Sequence, residues 1–199
     1  STMAQFIHNI TNMYRLTGDD WDKYSDITQH FNVVAEHAKA NLIGASGKNG
    51  LSWPDSDMLP FGLISTPGTA SGPTRMTNLT PGQQRIQFTL WCIARSPLMF
   101  GGVAFALSND SFTRELITNK MALSVNYNST DNRQLASSTY NDNNPIAIKW
   151  AATQGNDYYV ALFNVDGSKM RTMNVSLNEV TNNVCDKFEI HFQIKRIYA

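Results

Sequence analysis

Over the first two thirds of the chain, short apolar runs alternate with stretches in which apolar residues recur every three or four positions. Beyond about residue 140 the apolar residues recur at every second position. Asn12 to Leu16 reads as a short strand and leads into Thr17-Gly18-Asp19-Asp20. Trp21, Tyr24, Ile27, Phe31, Val34 and Ala38 then predict a helix with one apolar face, capped near Asp19 or Asp20. Gly44 to Gly50 reads as a glycine-rich loop, and Ser52 to Leu59 as a second short element. Residues 65 to 80, with Pro67, Gly68, Gly72 and Pro73, predict a long irregular excursion, a kind of segment that in compact domains often carries function. Thr80-Pro81-Gly82-Gln83 opens a helix with a capping box and proline in its first turn, and Ile86, Leu90, Trp91, Ile93 and Ala94 follow within it. Ser96 to Phe100, ended by Gly101-Gly102, predicts a fully buried strand, and Asp110 or Ser111 caps a further helix through Ile117.

Past residue 140 the period is that of strands. Ile146, Ile148 and Trp150 alternate with Ala147 and Lys149, a turn follows at Gln154 to Asp157, and Tyr158 to Val165 is a second strand. Asp166-Gly167 gives a hairpin signal, after which Met173, Val175 and Leu177 alternate, as do Phe188, Ile190, Phe192 and Ile194 near the end. The expected organisation is α/β: βα-repeat material over residues 1–135, then an antiparallel β domain over 140–199, shortened at its end. Three βα units cannot close a barrel. They leave unpaired parallel edges, so this first part reads as incomplete on physical grounds.

Composition narrows the classes. Sixteen basic and sixteen acidic residues balance, and no basic stripe marks a nucleic-acid partner. No apolar run approaches the roughly 18 residues that span a bilayer. Four histidines without ligand-like spacing predict no metal site. Cys92 and Cys185 read equally as one disulfide or as separate thiols with Cys92 buried on an apolar helix. No charged segment followed by an apolar one marks a signal peptide at Ser1 to Ala4, but sequons at Asn9, Asn78, Asn109, Asn128 and Asn174 lean toward the secretory pathway.

Two segments offer chemistry. Tyr14-Arg15-Leu16-Thr17-Gly18-Asp19-Asp20-Trp21-Asp22 places an arginine and carboxylates at a strand-to-helix junction, which in a βα barrel lies on the catalytic face. On spacing alone the same aspartates serve the helix N-terminus. Trp53-Pro54-Asp55-Ser56-Asp57-Met58-Leu59 combines carboxylates with apolar surfaces, a mixture that suits sugars, and on its own it reads as an Asx-turn between apolar anchors.

Taken together, Arg15-x-x-x-Asp19, Trp-x-Asp-x-Asp-Met-Leu at 53–59 and Ser-Pro-Leu-Met-Phe-Gly-Gly at 96–102 resemble three signatures of glycoside hydrolase family 27, the α-galactosidase and melibiase family. They stand in the family's order. The helix start at Thr80 and the Thr89-Leu90-Trp91 stretch resemble its plant melibiase-like branch, and the resemblance covers roughly residues 5 to 130. It implies the C-terminal portion, about strands six to eight, of a (β/α)8 TIM barrel followed by an antiparallel β-sandwich-like domain. It implies a retaining glycosidase acting on terminal α-D-galactosyl or β-L-arabinopyranosyl residues without a cofactor, in a secreted, cell-wall, vacuolar or lysosomal setting.

Residue by residue, the resemblance makes Asp19 the acid/base and Arg15, Asp57 and Met58 substrate-binding residues, with Trp53 and Asp55 structural. The family's nucleophile, on an earlier strand, has no counterpart here, so the isolated chain is expected to be inactive. A homodimer or a complementing N-terminal segment is the partner this implies. A non-catalytic carbohydrate-binding protein is the alternative. Val103 stands where the family often has an aspartate, and the tail from Cys185 departs from the family's usual strands.

Overall fold

The structure, a computed structural model, describes residues 2–65 and 72–182. Helix α1 (Thr2–Ile7) precedes strand β1 (Met13–Arg15); helix α2 (Tyr24–Lys39) leads to a hairpin of β2 (Ala45–Gly47) and β3 (Gly50–Asp55). Strand β3 returns parallel to β1, with Met13 opposite Trp53 and Arg15 opposite Asp55, so α2 is a crossover helix. The expected glycine-rich loop is thus a hairpin: Gly47 pairs with Gly50, and the φ of +133° at Gly50 is open to glycine in a way it is not to other residues.

Helix α2 starts later than its apolar period suggests. Its N-cap is Lys23, with no side-chain cap bond, because the aspartates expected to cap it have other partners. Asp22 accepts from Arg75 and from the Asn78 backbone N–H at 2.6 Å, and Asp20 is buried beside His30. Strand β4 (Leu63–Ile64), just before the predicted excursion, pairs antiparallel with β5 (Arg75–Met76) inside it, and the Arg75–Asp22 ion pair ties β5 to the loop after β1.

Helix α3 (Pro81–Ile93) opens with the predicted capping box: the Thr80 side chain accepts from Gln83 N–H, and the Gln83 side chain accepts from Thr80 N–H. Ser96 to Gly102 is not the fully buried strand that its composition predicts. Phe100 bridges Leu59 in parallel and Gly102 bridges Ile64, but Met99 is 37% exposed. Among the described residues this segment has a strand neighbour on one side only, which leaves its other edge open. A 3-10 turn (Ala104–Ser108), helix α4 (Ser111–Ile117) capped by Asp110, and helix α5 (Lys120–Asn128) complete this part.

The last described part is an antiparallel sheet. Strand β8 (Asn144–Gln154) pairs along one edge with β9 (Asp157–Asn164) and along the other with β6 (Thr130–Gln134) and β7 (Thr139–Asn141) in succession. The sheet therefore begins at Thr130. Ile148, Trp150 and Ala152 face helices α2 and α3, while Ala151 and Lys149 are buried on the other face. Lys149 Nζ satisfies its three protons on Ser137 O, Ser137 Oγ and Asn174 O, at 2.8, 3.1 and 3.0 Å. The strand expected from Met173 to Leu177 is absent. Ser176 instead caps a short helix α6 (Leu177–Thr181), whose Val180 packs on Leu135 and Ala151. The predicted alternation from Phe188 to Ile194 lies outside the described residues. Cys92 is buried and free among the described residues; Cys185 lies outside them.

One core joins the two parts. Ile27, Phe31 and Val34 of α2 and Trp91 of α3 pack with Ile148, Trp150 and Phe163 of the sheet, and the Phe31 and Phe163 rings meet edge to face with centroids 5.1 Å apart. Phe31→Ala is expected to destabilise the whole described fold by about 3–5 kcal/mol in a single transition. Denaturant unfolding followed by fluorescence checks this; separate transitions for the two parts would contradict the shared core.

Candidate functional site

The parallel pairing of β1 and β3 sends both chains out on the same side. Arg15 ends β1 and Asp55 ends β3, so the loops beyond them face each other. The Leu16 N–H donates to Asp55 O at 2.9 Å, which extends the register by one residue before the loops diverge. Asp57, two residues past β3, adopts a φ of +77°. Aspartate tolerates this left-handed region better than most residues, at a cost on the order of 1 kcal/mol.

That conformation is held from several sides. The Asp57 N–H donates to Asp55 Oδ1 at 2.9 Å, and the Trp91 indole N–H donates to Asp57 O at 2.7 Å. The Asp57 carboxylate accepts from Met58 N–H at Oδ1 and from Asp20 N–H at Oδ2, both at 2.6 Å. Arg15 also donates to Oδ2. The Asp57 side chain is only 10% exposed. Next to it, the Met58 carbonyl accepts from Gln87 at 3.2 Å, and Met58 Sδ lies where a β-carbon on Gly101 would collide with it.

Arg15 joins the candidates. Besides Asp57 it reaches the Gly18 carbonyl at 3.2 Å and Asp19 Oδ1 at 3.3 Å. Asp19 itself is open to solvent, its side chain 89% exposed. The structure thus brings Arg15, Asp19 and Asp57 into one contact network with Met58 alongside. Trp53 stands apart, stacked under the Arg95 guanidinium at 4.3 Å and against Gly44. Asp55 is buried, and burial pushes its carboxyl pKa up.

Two contributors were not singled out by their residue pattern. Asp20 reads as a helix cap in sequence, yet it is buried, and burial followed by the Asp57 charge pushes its carboxyl up to about 7. His30 shares the buried stripe of α2 with Ile27, Phe31 and Val34, and it packs against Trp91 at 4.8 Å. A histidine on an otherwise apolar helical stripe is the signal that could have found it. Among the described residues no group of acidic, histidine and cysteine side chains could hold a metal ion. No helix there is long and apolar enough to cross a membrane.

No family model matches the chain. It is 35% identical to a family GH27 β-L-arabinopyranosidase from Geobacillus stearothermophilus, solved with arabinose. That match has a TM-score of 0.67 and covers 82% of this chain and 35% of that one. It is 30% identical over 123 residues to Alpha-galactosidase 2 of Arabidopsis thaliana, covering 62% of this chain and 26% of that protein. It is 29% identical over 115 residues to an Aspergillus fumigatus protein named "Probable alpha-galactosidase B", covering 58% of this chain and 24% of that protein. The chain therefore spans about a quarter of the length of the curated relatives it matches. These similarities support glycoside hydrolase family 27 as the family the chain resembles, with its mixed α and β content.

Trp91→Phe removes the donor to the Asp57 carbonyl and leaves that buried oxygen unpaired. A loss of about 1–3 kcal/mol is expected, with faster amide exchange at Asp57. Denaturant midpoints and hydrogen exchange check it; an unchanged Asp57 amide would show that Trp91 does not hold the turn.

Proposed function

We propose that the chain is the C-terminal part of a retaining glycoside hydrolase of the family 27 type, removing terminal α-D-galactosyl or β-L-arabinopyranosyl residues. The observation that carries this reading is the convergence of Arg15, Asp19 and Asp57 beyond the C-terminal ends of two parallel strands. In fold terms, β1, β3 and the stretch from Ser96 to Gly102 stand as strands six to eight of a (β/α)8 barrel, and the sheet from Thr130 onward as the following antiparallel domain.

Each role that the resemblance implies fits its position. Asp19, exposed and close to Arg15, is free to protonate a glycosidic oxygen and then to take a proton from the attacking water. Arg15 fixes both carboxylates, so a sugar hydroxyl arriving there meets a guanidinium and two oriented acceptors. Asp57 binds rather than attacks, because Arg15, Asp20 N–H and Met58 N–H already hold its oxygens. Met58 adds an apolar surface for a ring face.

A retaining mechanism needs a second carboxylate about 5–5.5 Å from the acid/base. Around Asp19 the described aspartates are committed: Asp22 to Arg75, Asp57 to its donors, Asp20 and Asp55 to buried positions. As the family resemblance implies, the nucleophile stands on an earlier strand outside these residues, carried by a complementing N-terminal segment. The five sequon asparagines are exposed, which suits the secretory setting the sequence suggests.

The purified chain is expected to show negligible hydrolysis of aryl α-galactosides and aryl β-L-arabinopyranosides. It is expected to bind galactose or L-arabinose weakly in calorimetry, with Arg15→Ala lowering the affinity at least about tenfold through loss of a charge-assisted contact. Rapid turnover by the chain alone would overturn the assignment of the nucleophile to another segment. Absence of heat at high sugar concentration would overturn the sugar site.

A further inference from the structure

Behind the Arg15–Asp57 ion pair lies a second pair of titratable groups. Asp20 and His30 are both buried, their side chains 6% and 1% exposed, with Asp20 Oδ2 3.2 Å from His30 Nδ1. That nitrogen already donates to the Asp26 carbonyl at 2.9 Å, an atom that can only accept. Burial draws the His30 pKa below its ordinary value, and Nε2 lies 3.1 Å from the Thr17 hydroxyl. Asp20 Oδ2 is left enclosed without a donor. A carboxylate there is an uncompensated buried charge, whereas the neutral acid is not.

The same residue grips the sugar-binding carboxylate through its backbone, since Asp20 N–H donates to the Asp57 oxygen that Arg15 contacts. The charged and titratable groups facing Asp20 come from every neighbouring element: Asp57 from the loop after β3, Asp26 and His30 from α2, Arg15 from β1 and Asp19 from its own loop. Arg15 is the cation the carboxylates share among the described residues.

We propose that Asp20 is a positioning residue of this site: held as a neutral acid against His30, it keeps Asp57 on Arg15, and its ionisation loosens that contact and weakens sugar binding. An anionic Asp20 adds a competitor for one guanidinium and repels Asp57 where little water screens the charges. The binding half of the proposal rests on the sugar-site reading above; the structural half does not. Since the folded chain holds this proton more tightly than the unfolded chain does, Asp20 stabilises the fold in acid. That contribution is lost as the pH rises from the ordinary carboxylate range through about 7.

The test uses the full chain with labelled aspartate carboxyls and arginine nitrogens. In NMR the Asp20 carboxyl is expected to titrate near neutrality, and the Arg15 side-chain signal to move with the same midpoint. In calorimetry, galactose or L-arabinose is expected to bind about tenfold more weakly at pH about 8 than at about 5.5, and Asp20→Asn to abolish this dependence. An Asp20 carboxyl that titrates in the ordinary range, or an Arg15 signal indifferent to it, overturns the proposal without any variant. A pH dependence that persists in Asp20→Asn overturns it as well. Failure of either sugar to bind at every pH sinks the sugar-site reading instead, and the carboxyl and arginine titrations still decide the role of Asp20.

Discussion

The left-handed turn at Asp57 is the constraint on which the site depends. An aspartate at a φ of +77° is sparsely populated, and it persists because its surroundings over-determine it. Its N–H, its carbonyl and both carboxylate oxygens are engaged by Asp55, Trp91, Met58, Asp20 and Arg15. Those partners come from β1, the loop after it, the end of β3 and helix α3. Releasing the turn would disconnect four segments at once, which is why a side chain so near the surface is so well enclosed.

Helix α2 links that turn to the rest of the molecule. One stripe of it carries Ile27, Phe31 and Val34 into the core shared with the antiparallel sheet, and His30 on the same stripe reaches the loop that holds Asp20. Tyr24, at its first turn, donates to the Val165 carbonyl at 2.7 Å, just past the end of β9. The sheet therefore acts as the bed on which the crossover helix, and through it the loop bearing Asp19, is placed.

Much of this was legible in the residues. The period of α2, the capping box of α3, the Asp110 cap and the alternation of β8 and β9 are local signals that tertiary structure did not override. Arg15, Asp19, Asp57 and Met58 were named from their motifs. Other expectations gave way for identifiable reasons. Asp20 and Asp22 do not cap α2, because a buried histidine and Arg75 claim them. Met173 to Leu177 alternates like a strand but finds no edge among the described residues, and the Ser176 cap turns its end into helix instead.

By itself the sequence determined which residue types stand at the end of each parallel strand and which faces of the helices are apolar, because both depend on neighbours within a turn or two. It could not determine that Asp20 N–H, Arg15 and Trp91 converge on one aspartate, or that Asp20 and His30 are sealed together behind it. Those contacts join positions as much as 42 residues apart in the case of Arg15 and Asp57. They exist because parallel pairing and a crossover helix bring two loops to the same end of the sheet, and burial there, not local pattern, sets the charge each group carries.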